Sequence, residues 1–278
     1  MMKILFIGSK NMGVDALNVL SDFQDQGFVE IVAVVARADD DLEFWYKSVS
    51  ERARELDLPL FMPESMGDKA LISEVTRLQP DIGFCCFYPK LFPESFFSIP
   101  PYGTFNLHFA PLPRYRGVLP IPFAIINGER EHGVTIHKID EGMDSGPIVS
   151  QSLIPVFPDD TGYDLYKRCE KSGLILFQET VHKFILAAGK LPTREQNVED
   201  VISYVKGDLK SFEVDLSWGL ERIYNFVRAF DFPPFEAPYI QMKEKVYRLM
   251  IRPDRQGIDA THLSYFEYES HKIFLVDE

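Results

Sequence analysis

Apolar and polar positions change period several times along this chain, and each change marks an element. Lys3 to Ile7 is a continuous apolar run, the pattern of a strand covered on both faces of a parallel sheet. Gly8 breaks it, Asn11-Met12-Gly13 leads into a helix from Val14 to Phe23, and Glu30 to Ala36 is a second buried strand. Strand, glycine turn, helix and strand in that order predict a right-handed βαβ unit. The helical period returns from Phe44 to Leu56, with Arg52, Arg54 and Glu55 on the wetter side, and again from Lys69 to Leu78, where Pro80 stops it. Leu60-Phe61 between them is a short strand, and Asp81 to Phe87 is a central one that ends in the turn Tyr88–Pro93.

Strict alternation begins at Thr104. Phe105, Leu107 and Phe109 alternate with Asn106 and His108, and a period of two puts the amide and the imidazole on one face. Pro111 and Pro113 end that strand, and Arg114-Tyr115-Arg116-Gly117 follows. Leu119 to Asn127 predicts a short helix with proline near its start. Gly133 to Ile139 and Pro147 to Pro155 predict a pair of antiparallel strands, and the loop Asp140–Gly146 between them presents Asp144 at a hairpin-like end. A long helix runs from Gly162 to Ala188, capped by Thr161 or Asp160, with Gly189 just past its end. Its residues Leu165, Cys169, Leu176 and Phe184 are set to pack on the sheet. Beyond that the segments shorten: a helix over Gly219–Ala229, a proline- and aromatic-rich loop, and strands over Val246–Ile251 and Ile273–Val276. The expectation is an α/β, Rossmann-like domain with a mostly parallel central sheet over 1–195, then a small β-rich subdomain over 196–278 for acceptor binding or dimerisation.

Composition narrows the function classes. With 46% hydrophobic and 26% charged residues, the chain has the balance of a soluble globular protein. The formal net charge of −13 disfavours a nucleic-acid binder, which needs clustered Lys and Arg, and residues 201–278 carry ten basic side chains against thirteen acidic ones. Cys85, Cys86 and Cys169 form no CxxC pair and suggest reduced thiols. MMKILFIGSKNMG is a first strand rather than a signal peptide, and no apolar run approaches the ~18 residues of a membrane span, so a cytoplasmic protein without a membrane partner is expected. No metal site is expected: His132 and His137 stand five apart on a strand and face opposite ways, and Asp140–Gly146 has Gln151, not Glu, at the twelfth position of an EF-hand. GSKNMG lacks the spacing of a dinucleotide fingerprint and the Lys-Ser/Thr of a P-loop; it either meets an anion at a helix start or is a plain turn.

An amide, an imidazole and a carboxylate at strand ends, beside Arg and Gly, have the make-up of a reaction centre, although the same residue types also cap turns. In open α/β sheets ligands bind outside the carboxyl ends of strands, which points to the turns at Tyr88–Pro93 and Asn106–Arg116. Asn106-Leu107-His108, the following PLPRYRG and the loop DEGMDSG, in that order, resemble the folate-dependent formyltransferases. That family includes methionyl-tRNA formyltransferase, glycinamide ribonucleotide formyltransferase and the nucleotide-sugar N-formyltransferases. The resemblance is strong over about residues 1–190 and looser through RAFDFPPFEAPY.

It implies a one-carbon transferase with N10-formyltetrahydrofolate as donor and Asn106, His108 and Asp144 as its catalytic set. His108 accepts the amine proton or supports the oxyanion, Asn106 donates to the oxyanion, and Asp144 orients the imidazole or relays a proton. On the donor side the resemblance implies Phe87, Tyr88, Lys90, Leu91, Ile139, Asp140 and Gly142, and on the acceptor side Asn11, Tyr115, Arg116 and Gly117. Phe230, which opens the aromatic stretch to Tyr239, either packs near the base or sugar of the acceptor, or belongs to a packed subdomain core or a dimer contact. Arg116 holds an anion through two hydrogen bonds or is a solvated loop arginine; Lys90 faces a pyrophosphate or solvent. GVTIHKID is most similar to the nucleotide-sugar branch, implying a dTDP- or UDP-linked deoxyamino sugar as acceptor, surface polysaccharide (O-antigen) synthesis, and a homodimer. The alternatives are methionyl-tRNA as acceptor, a folate-dependent hydrolase releasing formate, and a non-catalytic folate or nucleotide-sugar binding protein. Such hydrolases carry an N-terminal regulatory module, for which a first strand at Lys3 leaves no room.

Overall fold

β1 (Met2–Gly8) is the centre from which the large sheet is built, and its residues Ile4 to Ile7 are wholly buried. A computed structural model describes residues 1–37, 47–232 and 235–277. Around β1 lie β2 (Val29–Val35), β3 (Leu60–Phe61), β4 (Ile82–Cys86) and β5 (Thr104–His108). After the short β6 (Arg116–Gly117), β7 (Glu131–Lys138) and β8 (Ile148–Pro155) complete the order β3-β2-β1-β4-β5-β7-β8. The first five are parallel to one another, and β7 runs antiparallel to β5. Strand order reverses direction at β1, so the crevice beside the carboxyl ends of β1 and β4 is the expected ligand side of such a sheet.

The helices are α1 (Lys10–Asp25), α2 (Val49–Glu55), α3 (Lys69–Leu78), α4 (Glu94–Phe97), α5 (Pro120–Ile126), α6 (Gly162–Leu186) and α7 (Leu220–Phe230). α1 begins four residues earlier than its apolar period predicts, and GSKNMG is therefore largely a first helical turn rather than a loop. Its polar opening residues give no periodic signal, and the Ser9 hydroxyl that would advertise the cap donates to the Phe87 carbonyl instead. Gly13 lies where α1 crosses closest: a Cβ there would stand 2.9 Å from Val49 Cγ2 and 3.2 Å from the Gly8 backbone. α2 is shorter than expected, and the start predicted at Phe44 lies outside the described residues. α3 has the predicted bounds, with Asp68 accepting from Ala70 N at 2.8 Å and left-handed Gln79 just before Pro80. α6 starts in a capping box: Thr161 Oγ1 accepts from Asp164 N at 3.2 Å, while the Asp164 carboxylate accepts from Thr161 N at 3.0 Å. Farther along, Phe177 and Phe184 of α6 meet the Phe84 ring edge-on, which seats the helix on the sheet.

The chain divides into two compact units that alternate along the sequence. One comprises Met1–Arg116, Gly133–Ser152 and Glu170–Ile202; the other comprises Gly117–His132, Leu153–Cys169 and Ser203–Glu278. The second unit contains β9 (Ser203–Tyr204) and a four-stranded antiparallel sheet of β10 (Tyr239–Met242), β11 (Lys245–Met250), β12 (Tyr265–Tyr268) and β13 (His271–Asp277), in the order β10-β11-β13-β12. Ile240, Leu249 and Ile273 share a buried face, and Met250 is buried on the opposite one. Phe230, the last residue of α7, is 2% exposed among the rings of Phe212, Phe226 and Phe235.

Candidate active site

The antiparallel register of β5 against β7 sets the first layer of the site. It pairs Asn106 with His137 and His108 with Thr135, and residues directly paired across two strands share a face. Asn106, His108 and His137 therefore emerge together. The loop after β7 brings Asp144 onto them. His108 Nδ1 lies 3.7 Å from Asp144 Oδ2, His137 Nε2 lies 3.3 Å from Asp144 Oδ1, and Asn106 Nδ2 is 3.4 Å from the same oxygen. Asn106 Nδ2 also stands 3.3 Å from His137 Nε2.

The other nitrogen of each histidine fixes its proton. His108 Nε2 is 2.9 Å from the Tyr115 carbonyl, and His137 Nδ1 is 3.0 Å from the Lys138 carbonyl. A carbonyl only accepts, so both of these nitrogens carry hydrogen. In the neutral form of each ring this leaves His108 Nδ1 and His137 Nε2 as the nitrogens facing the Asp144 carboxylate. His137 is 3% exposed, whereas His108 at 10% and Asp144 at 15% stay open to a small molecule.

The loop is held by its own side chains. Asp140 Oδ1 accepts from Gly142 N at 3.1 Å and Ser145 Oγ at 2.7 Å, and Ile139 N donates to the Thr104 carbonyl at 2.7 Å. Gly146 admits no side chain, because a Cβ there would overlap the Lys138 carbonyl. Asp144 sits at φ +51, a left-handed position that Asp tolerates better than most residues.

The turn after β4 lies alongside. Phe87 takes φ +62 and packs its ring edge-on to Phe109 at 4.6 Å. Tyr88 is buried in the cluster formed with Leu5, Cys85 and Phe96, and Ile139 packs against that same cluster, so the two loops share one core. Lys90 Nζ donates to the Pro63 and Glu64 carbonyls and tethers the turn, and Leu91 is 81% exposed. Burial pushes the Cys85 thiol up to about 12, and the Asp144 charge pushes it the same way, which leaves it an un-ionised core residue.

Tyr115 is 1% exposed and left-handed at φ +63; what it offers the site is its carbonyl, not its ring. Arg116 donates through Nε and Nη2 to Gln196 Oε1 at 3.0 and 2.8 Å, and its backbone N–H donates to the Ile202 carbonyl. Gly117 takes φ +89. Asn11 Oδ1 accepts from Lys47 N at 2.8 Å, in the first turn of α1. Phe230 is enclosed in the core of the second unit, where its ring has no surface for a ligand. The structure thus brings Asn106, His108 and Asp144 together, with Ile139, Asp140 and Gly142 in the adjoining strand end and loop and Arg116 linked to them through Gln196. It adds His137 and Gln196. His137 owes its place to the strand register, and no sequence signal marks Gln196.

The family described as formyl transferase matches residues 2–181. A methionyl-tRNA formyltransferase of Kosmotoga olearia is 34% identical over 240 residues, covering 84% of this chain and 74% of that protein. The N-formyltransferase of Helicobacter canadensis, solved in complex with folinic acid and dTDP-3-aminofucose, superposes with a TM-score of 0.73 at 23% identity over 100% of both chains. WlaRD, a sugar 3N-formyl transferase solved in the presence of dTDP and 5-N-formyl-THF, gives 0.71 at 22% identity, over 100% of this chain and 98% of that one.

Proposed function

Because the chain belongs to the formyl transferase family, we propose that it moves the formyl group of N10-formyltetrahydrofolate onto the amino group of a nucleotide-linked deoxyamino sugar. It is a formyl-transferring enzyme; the donor, the acceptor and the residue roles are the proposal. The carrying observation is the convergence of Asn106, His108 and Asp144, with His108 Nε2 committed to the Tyr115 carbonyl and Nδ1 left as the base.

The donor supplies a formyl carbon bonded to N10. The turn at Phe87–Leu91 and the loop from Ile139 stand on one shared core through Tyr88 and Ile139, which holds their backbone groups side by side for the hydrogen-bonding edge of a pteridine. His108 Nδ1 removes the proton from the acceptor nitrogen as that nitrogen bonds to the formyl carbon. Asn106 Nδ2–H donates to the carbonyl oxygen as it becomes an oxyanion, and a fixed donor of this kind contributes most in a site shielded from water. Asp144 supports the imidazolium. His108 then returns the proton to N10 as the C–N10 bond breaks, leaving tetrahydrofolate and the formamide. No covalent enzyme intermediate is needed. Arg116, whose hydrogen-bond partners among the described residues are neutral, keeps its charge for an acceptor phosphate.

A second reading, methionyl-tRNA as acceptor, draws on the name of the 34% identical relative. The net charge of −13 favours the smaller acceptor.

The test offers N10-formyltetrahydrofolate with a panel of dTDP- and UDP-linked 3-amino and 4-amino sugars, beside initiator methionyl-tRNA. One sugar is expected to be formylated, with kcat lowered about 10²–10⁴-fold in His108→Ala. Turnover of the tRNA alone would replace the sugar reading. Undiminished turnover in the variant would remove His108 from the mechanism.

A further inference from the structure

Gln196 uses every hydrogen-bonding position of its side-chain amide. Its Oε1 accepts twice from Arg116, at 3.0 and 2.8 Å. Its Nε2 donates twice, to the Asp144 carbonyl at 2.8 Å and the Gly146 carbonyl at 2.7 Å. A guanidinium only donates and a carbonyl only accepts, so the orientation of this amide is unambiguous. The residue is 8% exposed, and a buried amide with two donors and two acceptors satisfied is fixed in place.

Its two ends hold different parts of the site. One end holds the guanidinium that faces the acceptor. The other end holds the backbone on both sides of Ser145, beginning with the carbonyl of the catalytic carboxylate itself. Asp144 sits in a left-handed conformation and Gly146 lies against Lys138, so neither carbonyl can be rearranged independently of the loop. Arg116 also polarises the amide it binds, which strengthens the two N–H donors at its far end.

We propose that Gln196 is a positioning residue that couples the acceptor-facing cation to the catalytic loop, so that Arg116 and Asp144 hold their places through one shared side chain. Displacement of a catalytic group by about 1 Å costs up to about 10²-fold in rate, so removing this tie acts on turnover and not only on acceptor binding. The inference rests on the roles proposed above for Arg116 and Asp144, and its test keeps the two separable.

Two substitutions divide the functions of the amide. Gln196→Glu retains an acceptor for Arg116 but has no donor for the Asp144 and Gly146 carbonyls, and it neutralises the guanidinium. Gln196→Met keeps the length and loses both ends. Expected for Gln196→Glu are a kcat about tenfold or more below wild type and a raised KM for the acceptor. Gln196→Met is expected to show a comparable fall in kcat. Hydrogen exchange over residues 140–146, which needs no substrate, is expected to speed up about tenfold in both, while exchange in β1 and β4 stays at the wild-type rate.

A rise in KM alone, with the loop exchanging as in wild type, would make Gln196 a partner of Arg116 only and overturn the coupling. Faster exchange across the whole first unit would make it a plain structural residue and overturn it equally. A wild-type enzyme that formylates nothing in the panel, with exchange accelerated only over 140–146 in the variants, would sink the proposed function and leave the positioning role standing.

Discussion

At the scale of single residues, the site rests on which nitrogen of each histidine is already occupied. Period-two alternation over Phe105–Phe109 was enough to place Asn106 and His108 on one face, and β5 presents them so. The same alternation could not place His137, because its position depends on which residue of β5 it opposes. Register is a property of two strands and is invisible in either one. Its observed place makes a prediction. Asn106 Nδ2 has two acceptors near it, Asp144 Oδ1 and His137 Nε2. His137→Phe removes one and leaves the amide governed by the carboxylate alone, which draws it from the oxyanion position proposed for it. Steady-state kinetics should then show kcat reduced about tenfold with the KM for the formyl donor little changed, the pattern of a lost transition-state contact. An unchanged kcat would reduce His137 to filling space beneath Asn106.

At the scale of elements, the predictable parts were those with strong local chemistry. The period over Lys69–Leu78 and the stop at Pro80 gave the bounds of α3, and α6 opens at the expected Thr161 cap. α1 did not begin where expected, because its first turn is polar and its cap hydroxyl is used by another strand end. The glycines of GSKNMG invited a ligand-binding interpretation that packing accounts for more simply. Gly13 is the residue that lets α1 lie against the Gly8 backbone and Val49 of α2. Gly13→Ala should therefore destabilise rather than stabilise, despite alanine's better helix propensity of about 1 kcal/mol. A Cβ 2.9 Å from Val49 Cγ2 requires that side chain to shift, and overpacking of this kind costs about 1–3 kcal/mol. Urea denaturation should show a lower midpoint with an unchanged m value. A raised midpoint would mean that α1 and α2 separate freely and that the glycine is not there for space.

At the scale of the whole molecule, the sequence conveyed the succession of elements but not how they group. Residues 117–132 and 153–169 belong with 203–278 in one compact unit, an arrangement made by long-range packing that no change in composition marks. Net charge, by contrast, needs no structure, and it bears on the choice of acceptor. A tRNA held through six to ten phosphate contacts would lose about 10³–10⁵ in affinity between 50 and 200 mM salt. A nucleotide sugar held by a local arginine inside a molecule of net charge −13 responds to two opposed effects. If Arg116 binds the phosphates as proposed, salt screens that attraction and also screens the repulsion between the phosphates and the net negative charge of the molecule. The two largely cancel, so kcat/KM for the sugar acceptor should change by less than about threefold over that range. A steep fall in kcat/KM with added salt would show that the acceptor reaches well beyond one arginine, and would turn the assignment toward the tRNA despite the charge.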